Sequence, residues 1–235
     1  MIKNLSVVAG LALLLSACSE QSSAPEMAES TAETYTYTEV EGWLTPPPGQ
    51  ATLGDQHGDI EVDKAGNVYV SVMGEPKGVQ IYSADGKYIG NVKDAPNTYH
   101  DFFIHADRNG IEYIYGAELD GQYINKTTLD GEMLLRIDAL ATIPAQYQKD
   151  GVAGLSLTGT AVAANGDIYV VDGYGMDYIH RYDSMGNYIT SFAGKGEPYN
   201  FNTCHKIIMD TRFSPEQLVC ADRENGRVIH MDLEG

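Results

Sequence analysis

Three of the chain's six histidines open short segments of alternating apolar residues: His57 in HGDIEVD, His100 in HDFFIHAD and His205 in HKIIMD. Imidazoles brought to one point are natural ligands for zinc or a similar transition ion. The plainer alternative is that each ring is a turn-adjacent histidine hydrogen-bonded to neighbouring backbone. Two further residues sit in matching loops, each after a short apolar strand: Tyr174 in VVDGYGMDYIHRYD and Arg223 in CADRENGRVIHMD. A phenol beside a cation can give or take a proton, and a guanidinium offers a planar fork to a carboxylate. Here too there is an architectural alternative, in which Asp172 and Asp222 cap their turns while Arg181 and Arg227 pair with acidic neighbours.

The elements that carry these residues repeat. Residues 58–92 run GDIEVDKAGNVYVSV then GVQIYSADGKYIGNV, and residues 158–192 run TGTAVAANGDIYVVD then YIHRYDSMGNYITSF. Each copy reads strand, glycine turn, strand, loop, strand, glycine turn, strand, with paired turn glycines at 66 and 86, 110 and 131, and 166 and 186. A four-strand unit recurring at roughly 40–50 residues is the mark of a β-propeller blade. The expected fold class is therefore all-β, a β-propeller of four-stranded antiparallel blades. The first strand of each blade lines the channel, so this fold would bring His57, His100 and His205 together around one opening. Tyr174 and Arg223 would lie on the same rim.

The second copy spans 99–137, and the longer interval before the third predicts a loop projecting from one rim, a frequent border of binding sites. Helical pattern is confined to 138–149 (DALATIPAQYQK), where Pro144 interrupts it. The fourth copy starts near Phe201 and reaches Gly235 with its last strand still to come. The expectation is about four blades of a six-bladed ring. Alternatively, the alternating segment 35–44 (YTYTEVEGWL) supplies the missing strand and closes a four-bladed ring.

Residues 1–18 read as an export signal: Lys3, an apolar stretch over 5–15, then Leu15-Ser16-Ala17-Cys18. A cysteine at that place looks like a bacterial lipobox, with Cys18 lipidated. Residues 19–38, rich in Ser, Glu, Ala and Thr, would be a flexible tether, and 39–235 the propeller. Localisation follows as the bacterial cell envelope, lipid-anchored and facing the periplasm or exterior, with membrane contact through the lipid alone. A net charge of −18, from 33 acidic and 15 basic residues, argues against nucleic acid or anionic lipid as a partner. Cys204 and Cys220 would lie diagonally on one face of two adjacent strands, either bridged in an oxidising compartment or as two buried thiols.

The DGYG and ADRENGR motifs, each after a four-residue strand, resemble NHL-repeat propellers. Within that group, the order HDFFIHAD, DGYGMDYIHRYD, TCHKIIMD and ADRENGRVIHMD over residues 97–233 is similar to the peptidyl-α-hydroxyglycine α-amidating lyases. The resemblance implies six blades, a zinc ion held by three histidines, and cleavage of a peptidyl hydroxyglycine into an amide and glyoxylate. It would make His100 and His205 zinc ligands, Tyr174 the catalytic base and Arg223 an active-site arginine. The family's third zinc histidine belongs to a later blade, and its other arginine would fall where this chain has Val72-Met73-Gly74-Glu75. His57 is left as a third nitrogen outside the family pattern. The expectation is a monomeric, exported binding module with zinc in its channel and a small molecule or peptide at the mouth. The alternative is a zinc-dependent lyase acting on a carbon–nitrogen bond. Nothing in the sequence supports a structural calcium.

Overall fold

The computed structural model describes residues 36–73, 77–149 and 154–235. Cys18, the export signal and most of the expected tether lie outside these. The unit Val40–Gly235 contains four antiparallel sheets in chain order. The first holds β1 (Ile60–Val62), β2 (Val68–Val72), β3 (Gly78–Tyr82) and β4 (Tyr88–Asn91). The second holds β5 (Tyr99–Ala106), β6 (Glu112–Glu118), β7 (Tyr123–Thr128) and β8 (Met133–Asp138). The third holds β9 (Gly159–Val162), β10 (Ile168–Val171), β11 (Tyr178–Tyr182) and β12 (Tyr188–Ala193), and the fourth β13 (Cys204–Asp210), β14 (Gln217–Asp222) and β15 (Arg227–Met231). Among the described residues helix is confined to α1 (Ala139–Thr142) and two single turns at Ala145–Tyr147 and Arg223–Asn225.

The turn glycines do what the repeat requires. Gly66, Gly110 and Gly166 donate their N–H groups to the carbonyls of Asp63, Asp107 and Ala163 at 2.8–2.9 Å. Their φ angles of +86°, +80° and +94° lie where a side chain is strained. Each hairpin thus turns on a residue that only glycine occupies without penalty.

The core lies between successive sheets, which makes the sheets blades. Tyr69 and Val79 of the first pack on Tyr99, Phe102 and Ile114 of the second. Tyr115, Ala117 and Ile124 meet Val162, Ile168, Val170 and Tyr182 of the third. Tyr169, Val171 and Ile179 meet Ile207, Leu218 and Cys220 of the fourth. Strands β2, β9 and β10 are buried along their whole length, whereas β4 and β8 keep exposed residues. Both faces of a middle blade are covered by neighbours, so its inner strands read as continuous apolar runs. The fold is all-β, built of propeller blades.

Two expectations about particular segments resolve differently. Residues 36–44 form no strand on the fourth sheet: Gly42, at φ +64°, turns the chain, and Thr45 N–H donates to Gly86 O at 2.8 Å, so this segment meets the first blade. Among the described residues β15 pairs only with β14. Cys204 and Cys220 are joined as a disulfide, with Cα atoms 5.8 Å apart. Cys204 faces Asp222 and Cys220 faces Ile207, the diagonal placement expected.

Candidate functional site

His100 and His205 owe their aim to a local irregularity. In β5 the register runs Tyr99 opposite Glu118 and Asp101 opposite Ala117, so His100 is an extra residue. In β13 it runs Cys204 opposite Asp222 and Lys206 opposite Ala221, so His205 is extra in the same way. Such bulges re-aim side chains and leave neighbours on one side that regular strand would alternate. His100 with Asp101, and His205 with Lys206, accordingly all reach the channel.

The three imidazoles meet. Ring centroids of His57 and His100 are 4.9 Å apart, and those of His100 and His205 are 4.7 Å apart. Tyr174 Oη lies 3.2 Å from His100 Nε2 and 2.8 Å from His205 Nε2, and Arg223 Nη1 donates to that oxygen at 3.3 Å. All five residues line one cavity of about 370 Å³.

Proton positions follow from the partners. His100 Nδ1 lies 3.0 Å from the carbonyl oxygen of Thr158. A carbonyl only accepts, so a neutral His100 carries its hydrogen on Nδ1 and a lone pair on Nε2. The arrangement that satisfies every atom has the phenol donating to His100 and accepting from His205 and Arg223. Burial, then His100, Arg223 and His57, push His205 down to about 4. Burial also lowers His100, offset in part by the Thr158 contact. Both rings are therefore neutral at physiological pH.

The loops that carry Tyr174 and Arg223 are held from below by carboxylates. Asp172 accepts from Met176 N at 2.8 Å and from Ser156 N. Burial pushes its carboxyl up to about 6. Gly173 has no room for a side chain: a Cβ there would stand 2.2 Å from Cys204 O and 2.4 Å from Thr158 Oγ1. Asp222 accepts from Asn202 N, Asn225 Nδ2 and Arg227 Nε at 2.6–2.8 Å. Arg181 pairs with Asp167 at 2.7 Å. The architectural role thus falls to Asp172, Asp222, Arg181 and Arg227, while Tyr174 and Arg223 are left facing the cavity.

Sequence reasoning missed the floor of the site. Lys206 Nζ lies 2.6 Å from Asp59 Oδ2 and 2.5 Å from Asp101 Oδ1. Asp101 Oδ2 also accepts from Thr160 N at 2.6 Å and Thr160 Oγ1 at 2.8 Å. All four blades are tied by this cluster. Burial, then the neighbouring Asp59, raise Asp101. Burial would raise Asp59 as well, but hydrogen bonds from Asp101 and Lys206 leave it lowered. The available signal was that Asp101 and Lys206 each follow a channel histidine.

The donors suit zinc in kind: neutral imidazoles, one of them with its other nitrogen tied to a carbonyl, as metal-bound histidines commonly are. Among the described residues no three His, Cys, Asp or Glu already stand in metal-holding geometry. No helix of the described residues is long and apolar enough to cross a membrane.

No known protein-family profile matches the chain. Its fold is similar to that of a solved protein of unknown function from Bacteroides thetaiotaomicron VPI-5482, with a TM-score of 0.54 and 15% identity, covering 75% of this chain and 46% of that one. A protein of unknown function from Bacteroides caccae aligns with a TM-score of 0.45 and 19% identity, over 63% of this chain and 52% of that one. An auxiliary nutrient binding protein from B. thetaiotaomicron VPI-5482 aligns with a TM-score of 0.48 and 17% identity, over 73% and 46%. The chain spans about half the length of these structures. Likeness at this identity is one of fold.

Proposed function

We propose that this is an exported, lipid-anchored β-propeller binding module whose channel mouth takes a zinc-type ion and a small carboxylate-bearing molecule. The observation that supports the reading is the convergence on Tyr174 Oη. Nε2 of His100 from the second blade, and Nε2 of His205 and Nη1 of Arg223 from the fourth, all lie within 3.3 Å of one oxygen on the third. An oxygen ligand would find the same partners. His100, His205 and His57 would hold the ion, which would supply Lewis acidity toward such an oxygen. Arg223, exposed at the rim, would take the carboxylate in a charge-assisted pair. Export and anchoring rest on Leu15-Ser16-Ala17-Cys18.

The test is metal content by mass spectrometry after dialysis against zinc. About one ion per chain is expected, and His205→Ala should release it. Metal content unchanged by that substitution would overturn the channel site.

One contact favours a second reading, a lyase similar to the amidating lyases. Arg223 sets its guanidinium against the phenol that the resemblance casts as base, with Cζ 5.5 Å from the ring centroid. Turnover of an α-hydroxyglycine peptide that disappears in Tyr174→Phe would establish it. Metal bound without turnover would leave the binding module.

A further inference from the structure

A second cavity lies at the other end of the inner strands from the histidines. At about 790 Å³ it has room for an organic molecule rather than a bare ion. One side is lined by β9 and its turn, Thr160-Ala161-Val162-Ala163-Ala164, of which Ala164 is exposed while Val162 and the pair Ala161 and Ala163 pack into different cores. Across from it, Phe103 stacks on Tyr115 with centroids 5.7 Å apart at 17°, and His105 meets both rings edge-on. Ile208 and Met209 of β13 complete an apolar surface.

The charged groups of the cavity are nearly all engaged. Lys206 is held by Asp59 and Asp101, and Arg108 donates to Ala164 O at 2.9 and 3.1 Å. The Lys126 ammonium rests 4.2 Å from the Tyr113 ring centroid. Glu216 accepts from Ala164 N at 2.7 Å, and Asp107 from Asn109 N and Ile111 N at 2.9 Å. Glu61 lines the cavity from β1 with no ion pair among the described residues; burial raises its carboxyl, offset in part by a hydrogen bond from the Ile104 N–H and by the charge of Lys206. At the channel centre three acidic side chains, those of Asp59, Asp101 and Glu61, face the ammonium of Lys206, with Asp101 raised by burial and hydrogen-bonded to Asp59. A half-buried carboxylate short of a cation beside an aromatic and aliphatic wall is complementary to an ammonium on an apolar body. The chain's charge of −18 would draw such a cation in.

We propose that this cavity is a second binding site, for a small organic ammonium whose charge pairs with Glu61 and whose apolar body lies against Phe103 and Ile208. Titration calorimetry of the full chain with benzylamine, and separately with neutral benzyl alcohol, tests it at neutral pH. One benzylammonium per chain is expected, with the alcohol weaker by about tenfold or more. Glu61→Gln should weaken the amine by a similar factor and leave the alcohol unchanged. Ile208→Ala, on a different strand and half exposed, should weaken both by removing apolar surface from the cavity, and keeps the test open if the first variant does not fold. Equal binding of amine and alcohol, amine binding unaltered in a folded Glu61→Gln, or no binding of benzylamine at all overturns the site.

Discussion

The phenol oxygen of Tyr174 stands 2.8 Å from Nε2 of His205, a hydrogen bond between side chains of adjacent blades. The phenol is a third exposed and its ring contacts are with His100, His205 and Arg223, so its hydroxyl serves the site more than the fold. Tyr174→Phe should keep stability within about 1 kcal/mol of the parent. It should retain bound zinc, whereas His205→Ala should lower zinc affinity by more than about tenfold. Thermal unfolding and metal titration of the two variants read this directly. Loss of zinc in Tyr174→Phe would make the phenol a ligand instead.

Among the described residues Lys206 is the cation held between Asp59 and Asp101. Lys206→Met would leave these two acidic side chains facing each other without the ammonium, and should destabilise by about 3 kcal/mol. Adding Asp101→Asn should recover part of that loss, because one of the two facing acids goes with it. Urea unfolding of the two single variants and the double variant measures the coupling. Additive losses would show that the two side chains do not act together.

His180 sets an acid limit. It is fully buried, with Nδ1 2.7 Å from Ser191 Oγ and Nε2 without a partner among the described residues, and burial pushes it down to about 3. Its folded value lies below the unfolded one, near 6.5, so the unfolded chain binds a proton that the folded chain refuses. Stability is therefore full above about pH 6.5 and falls toward pH 3, by up to about 1.4 kcal/mol per pH unit from this residue. His180→Gln should flatten the acid limb relative to the parent in denaturant melts at neutral and mildly acid pH. An unchanged slope would exclude His180 as its source.

The repeat, its glycine hairpins and the blade class were legible because turn chemistry and alternation are local. So was the meeting of His57, His100 and His205, once each was recognised as the start of a channel strand. The Asp59–Lys206–Asp101 cluster was not, because its members are distant in sequence and two of them reach the channel only through bulges. Alternation alone would have turned Asp101 and Lys206 away from their neighbouring histidines. The alternative in which 35–44 supplies the missing strand fails for the converse reason: its alternation is real, but the turn at Gly42 and the bond from Thr45 N–H to Gly86 O are tertiary outcomes.

The disulfide lies beside the site, since Cys204 precedes His205. It closes a loop with a sequence separation of 16 residues, a size for which a bridge contributes about 2–3 kcal/mol. Cys220→Ala, or reduction of the parent, should lower the unfolding free energy by that amount while the sheet persists by circular dichroism. Equal stability with and without reductant would count against the bridge.

The partner that fixes the His100 tautomer is the main-chain carbonyl of Thr158, not a side chain. A substitution at position 158 changes the hydroxyl and leaves that carbonyl in place. Drift in sequence can therefore alter what the mouth of the channel recognises, through Tyr174, Arg223 or His57, while the protonation state of its central imidazole is inherited with the blade itself.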